Sequence, residues 1–299
     1  MSILRFLLLC NIFVGGFVVA QQSKHVEGIE IPQILKTDVV VKHLGYTLSY
    51  NEKHEQANWV AYQLTKEELN KVASRTNDFM PDLSVKTGTA TSEDYKGKGY
   101  DRGHLAPAAD MSWSSEAMHE SFYYSNMSPQ VPGFNRGIWK KLEEQIRQWA
   151  VDNQFVYVVT GPILRDGLST IGVNKVSVPA HYYKVILDYS QPSTKAIGFI
   201  MPNESSDLSI RRFAVPVDSV EKVTGLDFFP ALPNEEETRI EKTLCVDCWT
   251  WTATNHSSTP HTKSSSDSMV QCSALTKAGN RCKRMTANKS GRCYQHDDE

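Results

Sequence analysis

Residues 100–107, Tyr-Asp-Arg-Gly-His-Leu-Ala-Pro, place the strongest local constraint on the fold. Gly103 allows backbone conformations that other residues resist, and Pro107 stiffens the exit, so we expect His104 on a fixed turn or at a strand end. An imidazole can accept a proton near neutral pH, and the neighbouring Arg102 guanidinium can hold an anion through paired hydrogen bonds. That pairing suits attack on a phosphate ester. Without further support, an Arg-Gly-His sequence is more often an ion-paired surface turn.

Further segments follow the motif order of one known family. They are Arg75 and residues 46–50, 57–62, 125–130, 134–143, 158–162, 178–184 and 224–228. With residues 101–104 they resemble the DNA/RNA non-specific endonuclease family, which has secreted bacterial and mitochondrial members. The resemblance covers roughly residues 40–235 in the family's own order. It implies a ββα-metal fold of the His-Asn-His-like type and hydrolysis of phosphodiester bonds.

The chemistry assigns roles to three residues. His104 fits the general base that activates water, provided that its imidazole is neutral. By the resemblance, Asn135 is the one direct protein ligand of a largely hydrated Mg²⁺, for which Mn²⁺ can substitute, and Glu143 holds metal-bound waters. Each metal role has a structural alternative. An Asn before an amphipathic helix is often an N-cap, and Glu143 can form an ion pair with Arg147.

Substrate contacts are also implied by the resemblance. Arg75 and Arg102 match the family's phosphate-binding arginines, and Asn126 and Gln130 match polar residues that orient the ligand. Arg147, one helical turn after the acidic residue, can pair with it or point into the cleft and bind substrate. Contacts with phosphate and sugar carry no base information, so we expect both DNA and RNA as substrates. The family leaves 5′-phosphate and 3′-hydroxyl ends.

The first twenty residues differ from the rest of the chain. Arg5 precedes an apolar run from 6 to 19, and Ala20 ends it. This pattern predicts a signal peptide over residues 1–20, and therefore a secreted or periplasmic protein without membrane attachment after cleavage. The alternatives are a membrane anchor or a lipidated Cys10, but the run is shorter than the ~20 apolar residues of a spanning helix.

The hydrophobic periodicity predicts an α+β fold. Strands are expected at 44–50, 58–64, 155–160, 182–187 and 196–201, and helices at 66–73, 115–124, 136–151, 208–214 and 217–224. Strands and helices do not alternate regularly, which favours a mainly antiparallel central sheet flanked by helices. The predicted catalytic domain spans residues 21–244.

The composition changes after residue 244. Residues 245–270 are rich in Ser and Thr and are predicted to form a linker. Residues 271–299 then carry Cys272, Cys282, Cys293 and His296, a set that can hold a structural Zn²⁺ ion. Disulfides that include Cys245 and Cys248 are the alternative, because the signal predicts an oxidising compartment.

Composition excludes little. The 299 residues carry a formal net charge of −2, but nucleic-acid binding depends on local cationic surface rather than on total charge. A binding module without catalysis and a phosphodiesterase for small esters remain alternatives. The sequence leaves open whether the protein forms a homodimer and whether an inhibitor protein exists.

Overall fold

The computed structural model describes residues 28–190, 193–252, 270–275, 280–283 and 285–286. The chain divides into two compact units, Met1–Thr252 and Ala253–Glu299. The predicted signal peptide, Cys293 and His296 lie outside the described residues.

The first unit is built on a seven-stranded sheet in which every neighbouring pair is antiparallel. The strands of this unit are β1 (Val39–Lys42), β2 (Thr47–Asn51), β3 (Gln56–Thr65), β4 (Asp101–His104), β5 (Met127–Gln130), β6 (Phe155–Pro162), β7 (Thr170–Ile171), β8 (Val176–Ser177), β9 (His181–Asp188), β10 (Lys195–Pro202) and β11 (Ala214–Val215). The sheet order is β1-β2-β3-β6-β9-β10-β11. Strands β4 and β5 form a separate antiparallel pair, as do β7 and β8.

Both faces of the sheet are covered by helices. The helices are α1 (Ser92–Tyr95), α2 (Ser115–Glu120), α3 (Lys140–Asn153), α4 (Val217–Thr224) and α5 (Asn234–Lys242). In β6, Val156 and Val158 join the core beneath α3, whereas Tyr157 and Val159 join the core beneath α4 and α5. Successive side chains of a strand point to opposite faces, so a strand that is buried throughout supplies two cores.

Strands β4 and β5 and helix α3 form a ββα unit on one side of the sheet. A π-helical turn, Phe134–Trp139, joins β5 to α3. Within α3, Leu142, Ile146 and Trp149 are fully buried, at the spacing that the sequence predicts for a helix packed on a sheet. The predicted α+β class, antiparallel sheet and ββα-metal fold are confirmed.

Two predicted helices are wrong in kind. Residues 66–73 contain only the 3₁₀ turn Glu67–Leu69, and residues 208–214 contain the 3₁₀ turn Ile210–Phe213. Neither turn contains a buried residue. Without an apolar stripe to pack, such short segments do not offset the cost of helix nucleation.

The predicted linker begins too early, because residues 245–252 belong to the first unit. Trp249 is 3% exposed, and its ring centroid lies 4.5 Å from that of Trp149 in α3. The Thr252 backbone N–H donates to Gln145 Oε1 of α3 at 2.9 Å. The two tryptophans of this segment, Trp249 and Trp251, bury enough apolar surface to dock it, although the surrounding composition is polar. A disulfide joins Cys245 to Cys248 within it.

The second unit contains a short antiparallel pair, β12 (Val270–Gln271) and β13 (Met285–Thr286). Cys272 and Cys282 are buried and pack together with Ala274. Across the described parts of both units, no helix combines the length and apolarity needed to cross a bilayer.

Docking of the 249–252 segment should contribute measurably to stability. Trp249→Ala is expected to lower the free energy of unfolding by about 3–5 kcal/mol, the usual cost of truncating a buried aromatic residue. Urea unfolding of the full chain measures it. Leu244→Ala, a short distance before this segment and 37% exposed, is the control and should cost much less. Equal effects of the two substitutions would contradict the docking.

Candidate active site

A cleft of about 680 Å³ lies beside the ββα unit. Arg75, Arg102 and Asn135, three of the residues predicted to act on substrate or metal, line it together. Phe79, Tyr100 and Asp101 also contribute to its walls. The structure therefore brings the predicted phosphate-binding arginines and the predicted metal ligand to one concave surface.

His104 ends β4 and packs against two phenylalanines. Its ring centroid lies 4.9 Å from that of Phe122, edge to face, and 5.8 Å from that of Phe79. The side chain is almost buried, with 8% of the residue exposed. Within the described part of the chain, the buried Nε2 atom has no hydrogen-bond partner. A buried ring nitrogen without a partner is free to take up a proton from a bound reactant.

The same two rings carry the guanidinium groups. Arg102 Cζ lies 3.9 Å from the Phe79 centroid, and Arg75 Cζ lies 5.1 Å from the Phe122 centroid. Phe79 and Phe122 pack edge to face at 5.0 Å. The aromatic pair thus fixes both cations beside His104 without using their N–H donors, which remain available for an anion.

Burial, together with the charges of Arg75 and Arg102, lowers the pKa of His104 to about 3. The imidazole is therefore neutral throughout the physiological range, as a general base requires. An anionic phosphate held by the two arginines would offset their charges and raise the basicity of the ring when substrate is present.

Asn135 lies in the π-helical turn and is not a helix cap, since α3 begins five residues later, at Lys140. Its Nδ2 donates to Asp101 Oδ2 at 2.8 Å, and Arg136 Nε donates to the same oxygen at 2.8 Å. Among the described residues nothing donates to Asn135 Oδ1, so the amide oxygen is the atom left for a metal ion. The assignment of O and N follows from this hydrogen bond.

Glu143 lies in the first turn of α3 and is partly buried. Burial raises the pKa of its carboxyl group, and the nearby Lys184 ammonium opposes that shift. The same carboxylate opposes the lowering of the Arg75 pKa by burial, which places Glu143 in the electrostatic environment of the cleft. Within the described ranges, no hydrogen bond commits its oxygens.

The carboxylate of Glu143 and the amide oxygen of Asn135 fit the donor set of a hydrated Mg²⁺. Both are hard oxygen ligands, and both are uncommitted in the described part of the first unit. Because protein oxygens are few, most of the coordination shell would be water, as Mg²⁺ prefers.

Arg147 is not oriented as a substrate-binding residue. Its Nη1 donates to Asp110 Oδ1 at 2.8 Å, and the Asp110 side chain is 1% exposed. Tyr62 Oη donates to the other Asp110 oxygen at 2.9 Å. A buried carboxylate needs such partners, so Arg147 balances the charge of Asp110 rather than projecting into the cleft.

Asn126 is also a structural residue and not a substrate contact. It is fully buried, its Nδ2 donates to the carbonyl oxygens of Ala106 and Ser121, and its Oδ1 accepts from the Ala106 N–H at 2.8 Å. With its amide committed to backbone, Asn126 fixes the segment that follows His104.

Gln130 is fully buried as well, in β5 beneath Gly103. A Cβ atom on residue 103 would approach Gln130 Cδ to 2.2 Å, so only glycine fits this position. Both amide atoms of Gln130 lack hydrogen-bond partners among the described residues. Its expected contact with substrate is not supported, because β4 covers the side chain.

Sequence reasoning missed four residues around the site: Phe79, Asp110, Phe122 and Lys184. Lys184 is fully buried, with Nζ 3.1 Å from Thr160 Oγ1 and 4.4 Å from the Trp139 centroid. A lysine within the otherwise apolar run of β9 was the one available signal. The two phenylalanines lie in irregular segments, where no periodicity marks them.

The neutral state of His104 predicts a pH-dependent stability. Its pKa in the folded state lies below the unfolded value of 6.5, so at lower pH the unfolded chain binds more protons and stability falls. Between pH 7 and pH 5 this group should cost about 2 kcal/mol of unfolding free energy. His104→Asn should lose that part of the pH dependence in urea unfolding. The exposed His119→Asn is the matched control, and identical pH profiles for wild type and His104→Asn would contradict the assignment.

Comparison with known proteins gives the family. The model described as DNA/RNA non-specific endonuclease matches residues 31–235. Human mitochondrial endonuclease G is 41% identical over 201 residues, which is 62% of this chain and 68% of that protein. Mitochondrial nuclease 1 of Schizosaccharomyces pombe is 36% identical over 233 residues, 70% of either chain. A crystal structure of endonuclease G in an EndoG/EndoGI complex superposes with a TM-score of 0.64 at 36% identity, covering 70% of this chain and 91% of that one.

The predicted secreted or periplasmic localisation is wrong by this comparison, because these relatives are mitochondrial nucleases. The apolar start of the chain suggested secretion, but such a run is short and its pattern is shared by several kinds of targeting segment.

The family assignment rests on the matched model, on the identity to endonuclease G and on the ββα unit, which agree with one another. This protein belongs to the DNA/RNA non-specific endonuclease family and is an endonuclease, a hydrolase of phosphodiester bonds.

Proposed function

We propose that this protein is a Mg²⁺-dependent, sugar-non-specific endonuclease that cleaves DNA and RNA to 5′-phosphate and 3′-hydroxyl ends. The observation that carries the proposal is the neutral His104, whose partnerless Nε2 lies beside two guanidiniums that line the same cleft as Asn135. A base, two phosphate-binding cations and a metal ligand are the parts that phosphodiester hydrolysis requires.

In this proposal His104 accepts the proton of the attacking water, while Arg75 and Arg102 hold the non-bridging oxygens of the phosphate. Asn135 would hold Mg²⁺ directly and Glu143 would hold its bound waters; the ion, when bound, supplies Lewis-acid stabilisation of the leaving 3′ oxygen. Asp101 accepts from the Asn135 amide nitrogen, which would leave the amide oxygen available to the ion. The surrounding phenylalanines exclude bulk water from the imidazole, which strengthens each electrostatic contact.

Lack of base selectivity follows from the same lining. The guanidiniums of Arg75 and Arg102 in the cleft are suited to phosphate, and phosphate contacts position a nucleic acid without reading its sequence. Contacts with phosphate neither require nor reject a 2′-hydroxyl group, so DNA and RNA should both be cleaved.

We also propose that Cys272, Cys282, Cys293 and His296 hold a structural Zn²⁺ in the second unit. The burial of Cys272 and Cys282 in one small cluster supports a shared centre. The disulfide between Cys245 and Cys248 removes those two residues from any pairing with the tail. A segment this small needs a metal ion or disulfides to remain folded, because its hydrophobic core is too small.

Nuclease activity can be tested with plasmid nicking and RNA cleavage. His104→Ala is expected to lower the cleavage rate by at least 100-fold, the usual contribution of a general base, while DNA binding persists. Asn135→Ala should lose the response to added Mg²⁺ in the same assay, because its ligand oxygen is gone.

The matched control is His119→Ala, an exposed histidine of α2 that should leave cleavage unchanged. Near-normal turnover in His104→Ala, or an unchanged Mg²⁺ titration in Asn135→Ala, would contradict the proposal. Binding of nucleic acid without any cleavage by the wild type would favour the alternative of a binding module.

The zinc proposal is tested by elemental analysis and thiol titration of the full chain. We expect one zinc per chain, together with three thiols, in addition to that of Cys10, that react only after denaturation in the presence of chelator. Absence of zinc combined with fewer than three thiols would show disulfides instead.

A further inference from the structure

A second group of carboxylates lies on the face of the sheet opposite α3. Asp218 and Glu221 are one turn apart on α4, and Glu241 lies on α5. One carboxylate oxygen from each of the three residues lies within 4.8 Å of the other two. In the described part of the chain, this is the one set of three or more acidic, His or Cys residues close enough to share a metal ion.

Glu241 distinguishes this group from an ordinary acidic surface. The residue is 6% exposed, and in the described ranges its Oε1 atom has no hydrogen-bond partner. Buried carboxylates in native proteins are normally hydrogen-bonded or paired with a cation, because desolvation penalises the charge. One oxygen of this side chain lies within 4.8 Å of an oxygen of each of the other two carboxylates.

The surroundings add negative charge and no compensating cation. Asp227 and Glu237 also act on Glu241, and within the described ranges no Lys or Arg forms an ion pair with any of these carboxylates. Burial, together with the charges of Glu221, Glu237, Asp227 and Asp218, raises the pKa of Glu241 to about 9. Within the described ranges the group therefore lacks the cation with which buried carboxylates are normally paired.

We propose that Asp218, Glu221 and Glu241 form a Ca²⁺ site that joins α4 to α5. Three carboxylates are hard ligands, and the solvent-exposed Asp218 leaves one side open for the waters that complete the coordination shell. Ca²⁺ binds oxygens at about 2.3–2.6 Å, so two oxygens of one shell can be roughly 5 Å apart. Separations of at most 4.8 Å are compatible with that shell.

Mg²⁺ fits the cluster less well. Its metal–oxygen distance of about 2.0–2.1 Å limits oxygens of one shell to roughly 4 Å, and it retains several waters rather than accepting three carboxylates. The site is separate from the cleft, since α4 and α5 cover the other face of the sheet. Its role is structural, because it ties two helices that pack on β10 near the end of the family-like region.

Isothermal titration calorimetry of the full chain with CaCl₂ at pH 7 tests the site, with thermal unfolding as a second measurement. We expect Ca²⁺ to bind and to raise Tm by several degrees, since the ion binds only the folded chain.

The decisive variant is Glu241→Gln, which preserves shape and removes the charge. It should lose one Ca²⁺ site and the rise in Tm, while its Tm without calcium equals or exceeds that of the wild type, since a buried repulsion has been removed. Glu235→Gln, an exposed residue of the same helix, is the matched control and should behave as the wild type. Any Ca²⁺ bound in the nuclease cleft remains in both variants and cancels in the comparison.

Two results would overturn the proposal. One is an unchanged number of Ca²⁺ sites in Glu241→Gln. The other is absence of calcium binding by the wild type.

Discussion

The hydrogen bond between Asn135 Nδ2 and Asp101 Oδ2 sets the geometry of the candidate active site. Asp101 begins the four-residue strand that His104 ends, so the two residues have a fixed separation along β4. Through this bond the turn before α3 is tied to β4, and the amide that could hold a metal ion is fixed relative to the imidazole that could act as base. Arg136 binds the same carboxylate and neutralises it, so Asp101 orients the amide without adding a net negative charge.

Burial affects His104 differently from the pair Glu143 and Lys184. Around His104, burial removes water and keeps the imidazole neutral. The neutral imidazole is the form that can act as a base, so burial favours the reactive state. Around Glu143 and Lys184 it brings together two groups that disfavour charge when alone and that support each other's charge when close. The fully buried Lys184 thus provides a positive charge near Glu143. This charge favours the ionised form of the Glu143 carboxyl group.

The sequence predicted the parts of the fold that depend on periodicity. Four of the five expected strands fall within β3, β6, β9 and β10, whereas the strand expected at 44–50 was placed too early, because β2 begins at Thr47. The stripe of Ile138, Leu142, Ile146 and Trp149 predicted the helix on the sheet. The segments at 66–73 and 208–214 were misread because polar residues can satisfy a helical pattern without a surface on which to pack. The docking of residues 249–252 was missed because two tryptophans in a Ser- and Thr-rich region give no periodic signal.

For the site, the resemblance supplied which residues matter, and the structure separates those that line the cleft from those that support it. Arg75, Arg102 and Asn135 line the cleft, whereas Asn126, Gln130 and Arg147 are engaged or covered within the protein. No one-dimensional pattern makes this distinction, since a polar side chain that bonds backbone and one that bonds substrate look the same in sequence. The difference arises from which groups remain uncommitted after folding.

The register of β9 determines which of its side chains point to each face of the central sheet. Lys184 points to the face that carries α3, and its neighbours Tyr183 and Val185 point to the face that carries α4 and α5. A slip of one residue would place the ammonium in the apolar core beneath α4 and α5 and would remove it from Glu143. The hydrophobic pattern that fixes the sheet therefore also fixes a charge of the active site, so selection for packing and selection for chemistry act on the same strand.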